Sequence, residues 1–337
     1  MKKQKIILWL VISLLILGLG ACITDKTPLE TEEQVCWNKI ITIKDYEYLK
    51  NRYFFVDTFY ANYFEQGWSN DLSHWVYNPS RLLQKIEVFQ STTYSNSNTK
   101  NGLAVLDPHK YYNLTPSDYD TVIAVPGKVE KGNFIKLEEI VDYYYDNARG
   151  FFWLNSNILD GDVLAVSYKT DLDTIGTFFS EFTDTTKVPV FRLIKSRSMR
   201  PADIELWPLM IKNVYSLGDS MINYECFNMR IEYNLNGEHQ TIQQVDPQQS
   251  YMNLMGLDRN DKNGLAIDGG DGFVDYNVLL VSRAYGILMF PGLQPFNPLS
   301  TSRFQIAEKA DLYNTANMTD LQNNHKYDII VTSKVNE

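Results

Sequence analysis

The sequence predicts a β-rich α+β protein: mostly antiparallel sheets with hairpins, a few helices and no transmembrane barrel. Three observations point there. Short segments rich in β-branched and aromatic residues alternate with turn signals, one strand–turn–Gly–strand pattern occurs twice, and helical spacing is confined to two stretches. The clearest strands are Lys85–Phe89, Asp162–Tyr168, Val188–Ile194, Phe227–Tyr233 and Tyr327–Thr332. None has the long alternating run of a membrane strand, which takes ~9–11 residues. The helical stretches are Ile204–Tyr215, despite Pro208, and Ser302–Tyr313, with Ser302 as cap and apolar spacing at Phe304, Ile306, Ala307 and Ala310. Proline is tolerated only near a helix start, so the first must begin late.

The repeated pattern is Tyr145–Trp153 and Ser282–Phe290, each turning at a glycine (Gly150, Gly286) where a short hairpin needs positive φ. A bend follows each, at Asn155–Gly161 and Pro291–Pro298. The pattern suggests two related β units in tandem, within a module over 39–337 divisible near 197–203. Ser91–Gly102 and Asp107–Asp120, rich in turn formers, read as surface loops.

The N-terminus carries a different message. Lys2, Lys3 and Lys5 precede an apolar run from Ile6 to Gly20, the layout of a secretory signal and short for a span of ~20 residues. Leu19-Gly20-Ala21-Cys22 resembles the lipobox of bacterial lipoproteins, with small residues before the cysteine whose thiol takes the lipid. Residues 1–21 are then the signal, Cys22 the lipid attachment site and 22–38 an acidic tether. Ile23 rather than Asp after the cysteine resembles the sorting pattern for the outer membrane; either the periplasmic or the surface side remains open.

Removing three lysines takes the formal charge from −10 to about −13. Such a chain is repelled by phosphate backbones and anionic lipid surfaces, which argues against nucleic acid as partner. In an oxidising compartment Cys36 and Cys226 either form one disulfide or stand as separate thiols; sequence does not supply the Cα spacing that decides.

Catalytic signals are weak. Leu217-Gly-Asp-Ser220 looks like the nucleophile block of Gly-Asp-Ser esterases, which usually carry an Asp-x-x-His near the C-terminus; none stands there. His74, His109, His239 and His325 are too scattered for a metal motif, so the reading is non-enzymatic. The acidic, Gly-rich stretch from Asp258 to Asp275 offers Asp258, Asp261, Asp268 and Asp271 as Ca²⁺ ligands, the alternative being a solvated turn-rich loop. It misses the EF-hand template: placing Gly264 sixth puts Arg259 first and Gly270 twelfth. The many aromatics, such as Tyr143–Tyr145 and Phe151–Trp153, could be glycan platforms, but on alternating strands they read mainly as core and cross-strand pairs.

A collinear set of segments carries one further signal. It runs Tyr53–Tyr60, Lys85–Phe89, Thr99–Leu106, Phe134–Glu138, Gly150–Asn155, Gly161–Tyr168, Ile175–Phe178, Leu193–Ser196, Leu206–Gly218, Asn253–Asp258, Asp271–Asp275, Gly286–Phe296 and Leu312–Thr315. The order resembles the repeated non-barrel module of the SprA/Sov family, the large outer-membrane translocon of type 9 secretion and gliding motility in Bacteroidetes. Two departures stand out: the chain is far too short for that family's barrel, and Pro208 interrupts a segment the family keeps free of proline. The resemblance implies a stand-alone, lipid-anchored version of the module working by protein–protein contacts with secretion components or cargo. The alternative is a surface lipoprotein that binds glycan or another nutrient.

Overall fold

A computed structural model of the chain describes residues 38–218, 227–242, 249–275, 280–282, 285–299, 302–304 and 306–334. Cys22, Cys36, Cys226, the signal, all of the tether but Asn38, and Asp219-Ser220 of the esterase-like block lie outside them. Trp37–Glu337 forms one compact unit. In chain order its strands begin β1 (Asn38–Lys44), β2 (Tyr53–Phe55), β3 (Lys85–Thr92), β4 (Thr99–Val105), β5 (Val129–Lys136), β6 (Tyr143–Asp146), β7 (Phe151–Leu154), β8 (Leu164–Lys169) and β9 (Thr174–Ile175). They continue with β10 (Val190–Lys195), β11 (Val214–Ser216), β12 (Asn228–Leu235), β13 (Glu238–Gln240), β14 (Val281–Ser282), β15 (Ile287–Met289) and β16 (Tyr327–Lys334). Four short helices sit between them: α1 (Thr58–Tyr63), α2 (Pro116–Thr121), α3 (Tyr251–Leu254) and α4 (Met318–Asn323). Each starts on a side-chain cap, from Asp57, Thr115, Ser250 and Asn317 in turn, which satisfies an otherwise orphaned N–H.

All five expected strands are present, and the architecture is β-rich and mainly antiparallel. Strands β10, β4, β5, β3 and β8 follow one another and close through a β10–β8 pairing into a small barrel, with β9 added outside β8. Among the described strand pairs of this barrel, β10–β4 is parallel and the others are antiparallel. Phe191 on β10 packs against Phe89 on β3 and Phe134 on β5, ring centroids 4.3 and 5.2 Å away. Strand β10 neighbours neither β3 nor β5, so the Phe191 ring meets the other two across the interior and fills it. Gly102 on β4 makes room, because a Cβ there would stand 2.6 Å from the Phe191 ring. This is a packed core, not a channel. On its outside, Leu103, Val105 and Val190 bury against Leu114 and Tyr119 of the α2 region.

The two hairpins sit in equivalent settings. Hairpin β6–β7 adds β2 beside β7, and hairpin β14–β15 adds β11 beside β15. Gly150 and Gly286 both have positive φ, 66° and 58°. The likeness extends further. Strand β3 lies between β8 and β5 as β12 lies between β16 and β13; β8 then takes β10, and β16 takes β1. The strand that opens each half therefore completes the sheet of the other half. Short sequence echoes mark the same places: Leu49-Lys-Asn51-x-Tyr53 with Ile211-Lys-Asn213-x-Tyr215, and Lys85-Ile-Glu87 with Arg230-Ile-Glu232. Between β12 and β13 there is no counterpart of β4. Asn236-Gly237 joins them directly with φ of 54° and 90°, the positive pair that a tight type I′ hairpin requires. The second sheet accordingly stays open, in the order β1-β16-β12-β13.

Alternation along β11 and β15 divides the two main cores. Val214 and its partner Met289 face the core that holds the barrel aromatics; Tyr215 and Leu288 face the core under the open sheet. The changeover thus falls at Val214–Tyr215, while the expected boundary at 197–203 lies in the connection after β10.

Both expected helices are absent. Ile204–Tyr215 holds one 3₁₀ turn at Trp207–Leu209, after which the chain enters β11. Pro208 withholds an N–H, and with Leu206, Trp207, Leu209, Met210 and Ile211 all buried, apolar spacing cannot separate helix from packed irregular chain. In Ser302–Tyr313 no helix forms among the described residues. Ser302 Oγ accepts from Phe304 N, but the Ala310 N–H goes to Phe296 O, so this backbone bonds across to its neighbour rather than to itself. Two assigned loops also shrink: β3 and β4 extend into Ser91–Gly102, and α2 occupies part of Asp107–Asp120.

Candidate functional site

The acidic stretch forms a loop that begins where α3 ends. Gly256 (φ 82°) turns the chain out of the helix, and Asn253 Nδ2 donates to the Asp258 carbonyl. Asp258 is fully buried. Its carboxylate accepts the N–H groups of Asp271 (2.8 Å) and Gly272 (3.0 Å), which ties the start of the loop to its end. Gly270 has φ 78°, and a Cβ there would meet the Asp258 carboxylate at 2.3 Å, so only glycine lets the backbone approach. Asp275 repeats the device, accepting from Arg259 N (2.8 Å) and Asn260 N (3.2 Å), while its own N–H goes to Leu257 O. Burial, with Asp271 and Asp275 nearby, pushes the Asp258 carboxyl up to about 6, against the pull of its two hydrogen bonds. Burial raises Asp275 as well.

The four candidate ligands do not share one site. Asp258 is spent on backbone N–H groups. Asp261 closes its own turn, accepting from Asn263 N and Leu265 N, which hold it below the usual carboxylate range. Asp271 accepts from Phe273 N. Asp268 is exposed and lines a different cleft, with Asn70 and Arg259. Among the described residues, no group of three or more His, Cys, Asp or Glu is arranged to hold a metal ion. Asp261, Asp271 and Asp275 line one cleft of about 650 Å³ together with Asp71. Asp71 belongs to Asp71-Leu-Ser-His74, an Asp-x-x-His early in the chain. Its carboxylate serves that turn alone, accepting from the Ser69 and Ser73 hydroxyls and from Ser73 N. The cleft is negative, yet most of its carboxylate oxygens already fold the loop around them. The aromatic clusters likewise build structure: Tyr53, Trp153 and Tyr144 stack in a ladder across β2, β7 and β6.

Sequence reading passed over one constellation. His239 and His325, far apart in the chain, meet on the open sheet through its register. Asp45, fully buried, accepts from His325 Nδ1, Lys326 N and Tyr327 N, each at 2.8 Å. Asp328 pairs with Lys44 at 2.7 Å and lies 3.3 Å from His325 Nε2. Glu232 is its cross-strand partner and pairs with Arg230 (2.6 Å) and His239 (3.1 Å). Hydrogen bonding to Asp45, with Asp328 close by, raises the His325 pKa. Three carboxylates, two histidines, a lysine and an arginine thus pin β1 to β16 and β12. The signal that could have found them is the Arg-x-Glu alternation of β12 facing Asp328, visible only once the strands are paired.

No protein-family model matches the chain, and no curated protein sequence matches it as a relative.

Proposed function

We propose that this chain is a lipid-anchored outer-membrane protein acting through protein–protein contacts in type 9 secretion or gliding motility, a stand-alone version of the SprA-type non-barrel module. Cys22 supplies the anchor that the family's own barrel supplies elsewhere. One observation carries the reading: segments matched to that module, distant in sequence, converge as mutual supports. From Leu206–Gly218, Asn213 Nδ2 donates to the carbonyls of Phe290 and Gly292 in Gly286–Phe296. Asn253–Asp258 holds Asp271–Asp275 through the Asp258 carboxylate and the Leu257 carbonyl. Collinear segments that fold onto one another are what a shared module would retain. Contacts of such a module with its partners need no reacting group, and we assign the chain no chemical step.

Deletion of the gene tests the proposal. Loss of type 9 cargo export or of gliding, with normal growth on complex glycans, is the expected outcome. Intact secretion with impaired glycan use would instead favour the nutrient-binding reading.

A further inference from the structure

Beyond that reading, we propose that the cavity beside Trp207 binds a small organic carboxylate, for which Lys212 provides the counter-charge. The cavity, about 420 Å³, lies between α1 and the Trp207–Lys212 segment and has Trp207, Leu293 and Leu299 as apolar wall. This is the size of a small-molecule site, and its lining sets polar and charged groups beside an apolar wall. Lys212 lines it and is itself almost completely buried. Its ammonium donates to the carbonyls of Trp207 (2.7 Å) and Met210 (3.0 Å) and sits 4.3 Å from the Trp207 ring centroid. These dipoles satisfy hydrogen bonds without cancelling the charge, and among the described residues no carboxylate pairs with it. Burial alone pulls its pKa down, to about 7.

The rest of the lining points to an anion. Arg303 is a second cation, held on the carbonyls of Trp68 and Ser69, and the one carboxylate in the lining, Glu65, accepts the Leu293 N–H. The other half of the fold supplies an internal comparison. There, at the matching Lys-Asn pair, Lys50 Nζ lies 3.4 Å from the Asp160 carboxylate, which also takes Asn51 Nδ2 at 2.7 Å. Asn213, by contrast, is occupied with Phe290 and Gly292, and among the described residues Lys212 has no such acid. A bound carboxylate replaces it, and the ligand's apolar part covers Trp207, whose ring is fixed by its Nε1 bond to Tyr313 O (2.8 Å).

Titration calorimetry on the full chain in detergent tests this with phenylacetate and its uncharged isostere phenylacetamide. At about pH 6, where Lys212 is protonated, phenylacetate should bind at least ~10-fold more tightly; at about pH 9, where Arg303 alone keeps its charge, most of that advantage should go. Lys212→Met should also remove most of it, while Lys187→Met, at an exposed position, should not. Equal binding of the two compounds at about pH 6, no binding of either, or an advantage undiminished in Lys212→Met would overturn the proposal. So would a loss in Lys187→Met as large as that in Lys212→Met. If Lys212→Met does not fold, the comparison of the two pH values on the unaltered chain decides.

Discussion

Asp258 shows what a single side chain contributes here. Its two oxygens accept two backbone N–H groups from the far end of an eighteen-residue loop, Asp258–Asp275, and the side chain itself is buried. Asp258→Asn puts an amide N–H against one of those donors, and a buried donor left unpaired costs about 1–3 kcal/mol. Chemical denaturation should therefore give a lower midpoint for the variant. Its pH dependence has a definite sign. The folded carboxyl holds its proton up to about 6, above the ordinary 3.8, so Asp258 favours the folded state at low pH and this contribution falls away as pH rises from about 4 to about 6. For His325, whose folded pKa is raised by Asp45, stabilisation is complete below its ordinary value of 6.5 and is lost as pH rises through the folded value. Thermal midpoints should thus fall on going from about pH 6 to about pH 8, and His325→Asn should flatten that decline. The acidic loop was legible in the sequence as a Gly- and Asp-rich turn region. Its use was not, because an oxygen that suits a cation equally suits a backbone N–H, and only the fold brings Asp271 N to Asp258.

At the scale of elements, β-branched and aromatic composition found the long strands: β12 alternates buried and exposed positions, whereas β8 and β10 are buried almost throughout. The barrel was not legible: closure depends on which strands pair, and the parallel β10–β4 contact joins residues far apart in sequence. Phe191 is its most sensitive point, since its ring touches Phe89, Phe134 and Phe179. Phe191→Ala should destabilise by about 3–5 kcal/mol, read as a drop in the urea midpoint with an unchanged slope. Gly102→Val drives a side chain into the same ring and should destabilise through overpacking by about 1–3 kcal/mol or more. The two helical misreadings have different causes. From Leu206 to Ile211 nearly every residue is buried, so spacing carries no information about backbone geometry. Ser302–Tyr313 does set buried Phe304, Ile306 and Ala310 between exposed Arg303, Ala307 and Lys309, but its Ala310 N–H goes to Phe296 O.

For the whole molecule, the reciprocal exchange of opening strands links the two ends of the described chain. Strand β1 pairs with β16 along its full length, Asn38 opposite Lys334 through Lys44 opposite Asp328. Ile43 reaches the second core from β1, and Ile43→Ala should cost about 2–5 kcal/mol in global stability rather than loosening β1 alone. Hydrogen exchange checks this: amides of β12 and β16 should lose protection together with those of β1. The twin hairpins announced this two-fold plan in sequence, whereas the exchange of β1 and β10 did not show, since it depends on partners at opposite ends of the chain. In the proposed function the lipid anchor joins the polypeptide at Cys22, some sixteen residues before β1. Cys22→Ser should release the protein from the outer-membrane fraction; retention would mean that partner contacts hold it.

The most direct measurement is cross-linking in the native envelope followed by affinity isolation of the tagged, lipidated chain. Recovery of type 9 translocon subunits is the predicted result. Isolation free of any secretion component, together with specific retention on a glycan array, would contradict the account.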